Sequence, residues 1–318
     1  PRLDAPSPTT GALAPTRLPG WPGPVFTIVG FALAMSAFVT GELARVDLVR
    51  AEARPVLLAL GILGALMLAG GLVYTLVRQL RRRRVLPPDR YRGPSIVLLL
   101  AFGILLAAAA TLPVAADVTA IFLGEGQATL AGAIVIISST QVALLIVSWV
   151  FVLRPRAVAF AMPLLGSERL RALRVGVGWG ILAWIGASAA TYAMVLLLEG
   201  LGVEPDVQPA EVAIGFLEPW LVVVAVVIVA PIAEEVFFRG LLFGALAKKG
   251  LPQIWVLVIS SAVFALIHLE PVRIILLFGI GLVLGLARWL TRSTTTAIVA
   301  HVVNNSVSSI GLIFLLFQ

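Results

Sequence analysis

The sequence predicts an all-α fold, a polytopic transmembrane bundle of about eight to nine membrane helices with a catalytic core in the C-terminal third. Three observations predict it. Of 318 residues, 60% are hydrophobic and 12% charged, and the mean hydropathy is +1.07, well above the roughly half-apolar composition of a soluble domain. Several apolar runs reach the about 20 residues that a helix needs to cross about 30 Å of hydrocarbon. No stretch shows the roughly 10-residue alternation of a lipid-facing barrel strand.

Taken in order, residues 1–24 are proline-rich without apolar periodicity and read as a disordered N-terminal segment outside the fold. The N-terminal transmembrane helices occupy 25–209, with apolar runs at 25–41, 55–77, 95–116, 129–153 and 175–198. The segment 210–318 holds four more, at 214–247, 252–269, 272–290 and 295–316. The 214–247 run is too long for one straight crossing, and Pro231 reads as its break. The connection at 157–168 is apolar enough to lie along the membrane surface.

Charge falls in the loops. The basic run RQLRRRRVLPPDRYR at 78–92, the stretch Arg154 to Arg174, and Lys248 with Lys249 lie on one side of this arrangement; acidic loops near Asp117 to Glu125 and Glu199 to Glu211 lie on the other. Positive loops prefer the cytoplasm, which places the N-terminus inside and the C-terminus outside. The net charge of +7 is therefore a topological signal and implies no nucleic-acid partner. With no cysteine, the chain has neither a disulfide nor a thiol nucleophile. The spacing of Gly281 and Gly285 is that of close helix packing. GVGWG at 176–180 has no strand before it and carries no nucleotide-binding meaning.

The polar residues inside apolar runs are the informative ones. An ionisable group at the centre of a membrane helix costs roughly 2.5 to 3.5 kcal/mol on insertion scales, so Glu234, Glu235 and Arg239 require compensation. Glu235 and Arg239, four apart, share one helical face and can pair. Glu234, about 100° round the helix, has no cation of its own in the segment. A surplus buried carboxylate of this kind is suited to general-base work. The chain has two histidines, His268 and His301, both in the last third. Asn305 follows His301 by one turn, Asn304 faces another direction as a packing amide, and Phe264 precedes His268 by one turn, as pocket wall or plain core. A carboxylate and an imidazole can hold and deprotonate one water. A second imidazole and an amide can donate to the oxyanion formed when that water attacks a carbonyl.

Glu234, Glu235 and Arg239 as EExxxR, Phe264 and His268 as FxxxH, and His301 and Asn305 as HxxxN, in that order on successive apolar segments, resemble the CAAX prenyl protease and bacteriocin-processing (CPBP, or Abi) family of intramembrane proteases. The resemblance covers about residues 210–318 and implies a glutamate-dependent endopeptidase with an all-helical core and no cofactor. It makes Glu234 the water-activating base with His268 beside it, and gives His301 and Asn305 the oxyanion site. Glu235 and Arg239 would support the motif structurally or in substrate binding. The partners implied are the lipid bilayer and a membrane-associated peptide or protein substrate. Arginine-rich loops and small-residue-rich helices suit a bacterial plasma-membrane protein.

Two other readings use the same residues. Glu234, His268 and His301 are a possible zinc ligand set, although HExxH spacing is missing. Intramembrane Glu, Arg and His also serve proton-coupled transporters, and a non-catalytic immunity protein would need no reaction at all. One geometric conflict follows from straight, complete spans: His268 would lie about 24 Å along its helix and His301 about 10 Å along its own, so short or broken helices near Pro231 and Pro271 are expected.

Overall fold

The computed structural model describes residues 18–45, 54–87, 89–117, 128–158, 167–200, 218–268 and 273–310. Among these residues there are nine helices and no strand. They are α1 (Pro22–Arg45), α2 (Arg54–Arg83), α3 (Ile96–Thr111), α4 (Leu130–Leu153), α5 (Ser167–Gly200), α6 (residues 219–248), α7 (Gln253–Leu266), α8 (Ile274–Thr291) and α9 (Thr294–Ser308). Six have spans long and apolar enough to cross a membrane, those in α2, α3, α4, α5, α6 and α8. The chain is an integral membrane protein. The lead-in expected at 1–24 falls mainly outside the described residues, and α1 starts at Pro22. Most of the surface segment expected at 157–168 and the end of the last expected span also lie outside them.

The chain forms two compact units, residues 1–82 and 83–318. In the first, α1 and α2 pair through a small-residue seam: a side chain at Gly30 would collide with the backbone of Leu68, and one at Gly64 with that of Ala34. Helices in lipid gain little from burying apolar surface against each other, so close backbone approach supplies the attraction.

The second unit is built around α6, the most buried of the six candidate membrane spans. The reason is sequence: Phe237, Phe238, Leu241, Leu242 and Phe243 face inward and pack with Leu144 and Val152 of α4, Leu99 of α3, and Val256 and Phe264 of α7. Outer helices end with local devices. Ser95 caps α3 by accepting from the Leu98 amide, Thr129 caps α4 by accepting from Gly132, and Ser293 caps α9 by accepting from Thr296. Gly250, at φ +83, ends the turn after α6 in the left-handed region that favours glycine.

The expectation that Pro231 breaks the sixth helix is corrected. Helix α6 runs on through it because two segments, Ala225–Val229 and Val236–Leu242, open into π-helix. In the first, the Ala230 amide donates to the Ala225 carbonyl five residues back, a wider turn that accommodates the proline ring.

Two of the three glycines of GVGWG, Gly176 and Gly180, serve packing, whereas Gly178 has open space around it. Helix α5 lies against α9 so closely that a methyl group at Gly180 would stand 2.6 Å from the Ala300 carbonyl oxygen. Gly180→Ala should lower stability by about 1–3 kcal/mol through overpacking. Gly186→Ala, on the same helix with open space around it, should be neutral or stabilising. Thermal midpoints in one detergent compare the two, and equal midpoints would refute the close approach.

Candidate active site

Three elements bring the site together. Helix α6 supplies Glu234, Glu235 and Arg239, α7 and the turn after it supply Phe264 and His268, and α9 supplies His301, Asn304 and Asn305. Helix α7, at 14 residues, is shorter than a crossing, and His268 sits in the turn beyond its end. Only Arg292 and Ser293 separate α8 from α9, and Arg292 turns the chain with φ 55. The conflict of depths expected from straight, complete spans therefore does not arise. The two imidazoles flank one ring, with centroids 4.7 Å (His268) and 5.8 Å (His301) from that of Phe264.

Glu235 and Arg239 are fully buried. Arg239 Nη1 donates to Glu235 Oε1 at 3.0 Å, and its Nη2 donates to the Gly281 carbonyl at 2.9 Å. The guanidinium lies 4.7 Å from the centre of Phe264, where the ring's negative face attracts a cation. Gly281 permits this: a side chain there would meet Ser261 at 3.1 Å and Phe264 at 3.3 Å. Arg288 Nε in turn donates to the Arg239 carbonyl at 3.2 Å. An i,i+4 pair that would be expensive alone is thus tied to α8 and stacked on α7.

Glu235 does more than pair. Its Oε1 also lies 3.0 Å from His301 Nδ1. A carboxylate held by an arginine accepts, so Nδ1 carries the proton and the imidazole turns its Nε2 toward Glu234, 4.0 Å from Oε2. That separation is too long for a direct hydrogen bond. His268 is held the same way, its Nδ1 donating to the Phe264 carbonyl at 2.7 Å, which leaves its Nε2 as an acceptor. Glu234 is the less enclosed of the two acids, at 16% side-chain exposure against 0% for Glu235.

Asn305 has a second attachment. Its Nδ2 donates to the Val226 carbonyl at 2.9 Å, and its Oδ1 accepts from Asn304 Nδ2 at 2.9 Å. In the wider π register, the amide of residue 231 would serve the Val226 carbonyl, but proline has none. Asn305 supplies the missing donor, which docks α9 on the irregular turn of α6. Its second N–H remains for other work. Asn304, expected to be a packing amide only, holds the orientation of Asn305.

Sequence reasoning did not find the Glu235–His301 contact, Arg288, or the Asn305–Val226 bond. The first joins residues 66 apart, and no spacing rule reaches that far.

All seven candidate residues fall within one stretch of the C-terminal helices, and that stretch is the one a family model matches. Residues 216–307 match the Rce1-like family model, type II CAAX prenyl endopeptidase. The Rce1-like segment contains EExxxR, FxxxH and HxxxN complete, so the resemblance read from the motifs and the family match fall on the same helices. No curated protein and no solved structure matches the chain.

Proposed function

We propose that this chain is an intramembrane endopeptidase of the CAAX-protease-like type, cutting a peptide bond of a membrane-associated protein or peptide with a water activated by Glu234. The observation that carries it is the 4.0 Å between Glu234 Oε2 and His301 Nε2, a distance two acceptors adopt when one water can donate to both. The catalytic core in this reading is 210–318.

In the reaction, the water oxygen bonds to the scissile carbonyl carbon as Glu234 takes its proton. The tetrahedral oxyanion accepts from the second N–H of Asn305, since the imidazoles have committed their Nδ1 protons to Glu235 and to the Phe264 carbonyl and present Nε2 as an acceptor. Its collapse breaks the C–N bond, and the proton held by Glu234 passes to the leaving amine. Glu235 and Arg239 act through position: Glu235 fixes the Nδ1–H tautomer of His301, and Arg239 fixes Glu235. Water-poor surroundings strengthen each donor's hold on developing charge. No acyl-enzyme forms and no metal takes part.

The test is cleavage of quenched membrane-anchored peptides by the full chain in liposomes made with oxygen-18 water. One heavy oxygen should enter each new carboxyl terminus, hydroxylamine should trap no acyl-enzyme, and activity should survive a strong chelator. Loss with the chelator and recovery with zinc would transfer the site to metal chemistry. Cleavage no greater than in liposomes without protein would overturn the reading.

A further inference from the structure

A second polar assembly stands at the far end of α6 from Glu234. The chain beyond Arg83 folds back so that Leu86, Pro87, Arg90 and Tyr91 form, with Arg83, Lys248 and Lys249, a pocket of about 400 Å³. Every lining residue belongs to the second compact unit.

The pocket is built, not a loose basic surface. Arg83 Nη1 donates to the Gly93 carbonyl, and its guanidinium lies 5.5 Å from the centre of the Tyr91 ring. Tyr91 is itself 4% exposed. The Arg90 amide donates to the Pro87 carbonyl at 3.1 Å, and Arg92 Nε donates to the Leu86 carbonyl at 2.8 Å, which closes the loop. These bonds hold one wall in place while Lys248 and Lys249 approach from the end of α6.

Cations predominate there. Four of them line the cavity, and among the described residues Asp89 lies 3.9 Å from Arg90 Nε, with both side chains largely exposed. Desolvation, and then the like charge of Arg83, hold the Lys249 ammonium below its ordinary range. An anion placed among these groups would relieve that repulsion. The remaining wall is apolar, formed by Leu86, Pro87 and the Tyr91 ring, which suits an anion carried on a hydrophobic stem. Arg83 and Lys248 are the last residues of two spans, Pro55–Arg83 and Trp220–Lys248, which sets the pocket at headgroup depth.

We infer that this pocket binds the phosphate of an anionic lipid headgroup. Basic pockets at the ends of membrane helices recognise such groups, with about 1 kcal/mol per Lys or Arg near the surface.

The test compares thermal midpoints of the full chain in phosphatidylcholine vesicles, in the same vesicles carrying phosphatidylglycerol, and in phosphatidylcholine with inorganic phosphate added. Phosphatidylglycerol should raise the midpoint. In Arg90→Gln/Lys249→Gln, both exposed residues, half of that rise should need about 30-fold more of the lipid, with a midpoint in phosphatidylcholine alone no lower than that of the wild type. Arg169→Gln/Arg171→Gln, which removes the same charge from exposed positions on α5, should respond as the wild type does. No rise with phosphatidylglycerol, or equal loss in both double variants, would overturn the pocket. An equal rise with inorganic phosphate alone would keep the phosphate site and overturn its lipid source.

Discussion

Glu234→Gln should reduce peptide cleavage by about 100-fold to 10,000-fold, the range that a positioned general base contributes, and leave the folded protein intact. The substitution keeps shape and hydrogen-bonding reach, but an amide cannot take the proton of the attacking water. Stability should hold because Glu234 has no arginine partner of the kind Glu235 has: its side chain is 16% exposed and lies 4.0 Å from the unprotonated Nε2 of His301. The neighbouring Glu235→Gln is the informative contrast. Glu235 is fully buried between Arg239 and His301, so neutralising it leaves a buried guanidinium without its counter-charge. One isosteric change should lower turnover at constant thermal midpoint; the other should lower the midpoint first. Turnover by Glu234→Gln equal to wild type, at matched protein concentration, would remove the protease assignment.

What the sequence made legible was what lies within one helical turn or one apolar run. All-helical architecture follows from hydropathy, because hydrocarbon forces each backbone amide to find its partner inside the segment. The Glu235–Arg239 pair was readable because four residues is a turn of helix. The π-helical turn at Ala225–Val229 was not, since the Val226 carbonyl that Pro231 cannot serve is served by Asn305 from another helix. Proline alone reads as a break. Here a long-range amide repairs the lost donor, and the helix continues. Helix α7 was drawn too long for a related reason: hydropathy does not distinguish a full crossing from a short apolar helix followed by a turn. The arginine run at 78–92 was read only as an orientation signal, because nothing local says that Lys248 and Lys249 meet it.

The second large effect is expected at Arg239. Its side chain is wholly buried, with Nη1 on Glu235, Nη2 on the Gly281 carbonyl, and its charge over Phe264. Arg239→Met keeps most of the volume and removes all three, which leaves the Glu235 carboxylate buried beside Glu234. Breaking a buried pair from one side costs about 3–5 kcal/mol, and this should appear as a large fall in thermal midpoint. The double variant Arg239→Met/Glu235→Gln should recover most of that loss, because the stranded charge leaves with its partner. Activity should not return with stability. Gln at 235 can offer His301 Nδ1 either its carbonyl or its amide, so the tautomer that turns Nε2 to Glu234 is no longer enforced. A double variant as unstable as Arg239→Met would mean that the contacts to Gly281 and Phe264, not the buried ion pair, hold α6 in place. A double variant that regained full turnover would mean that Glu235 does not position His301.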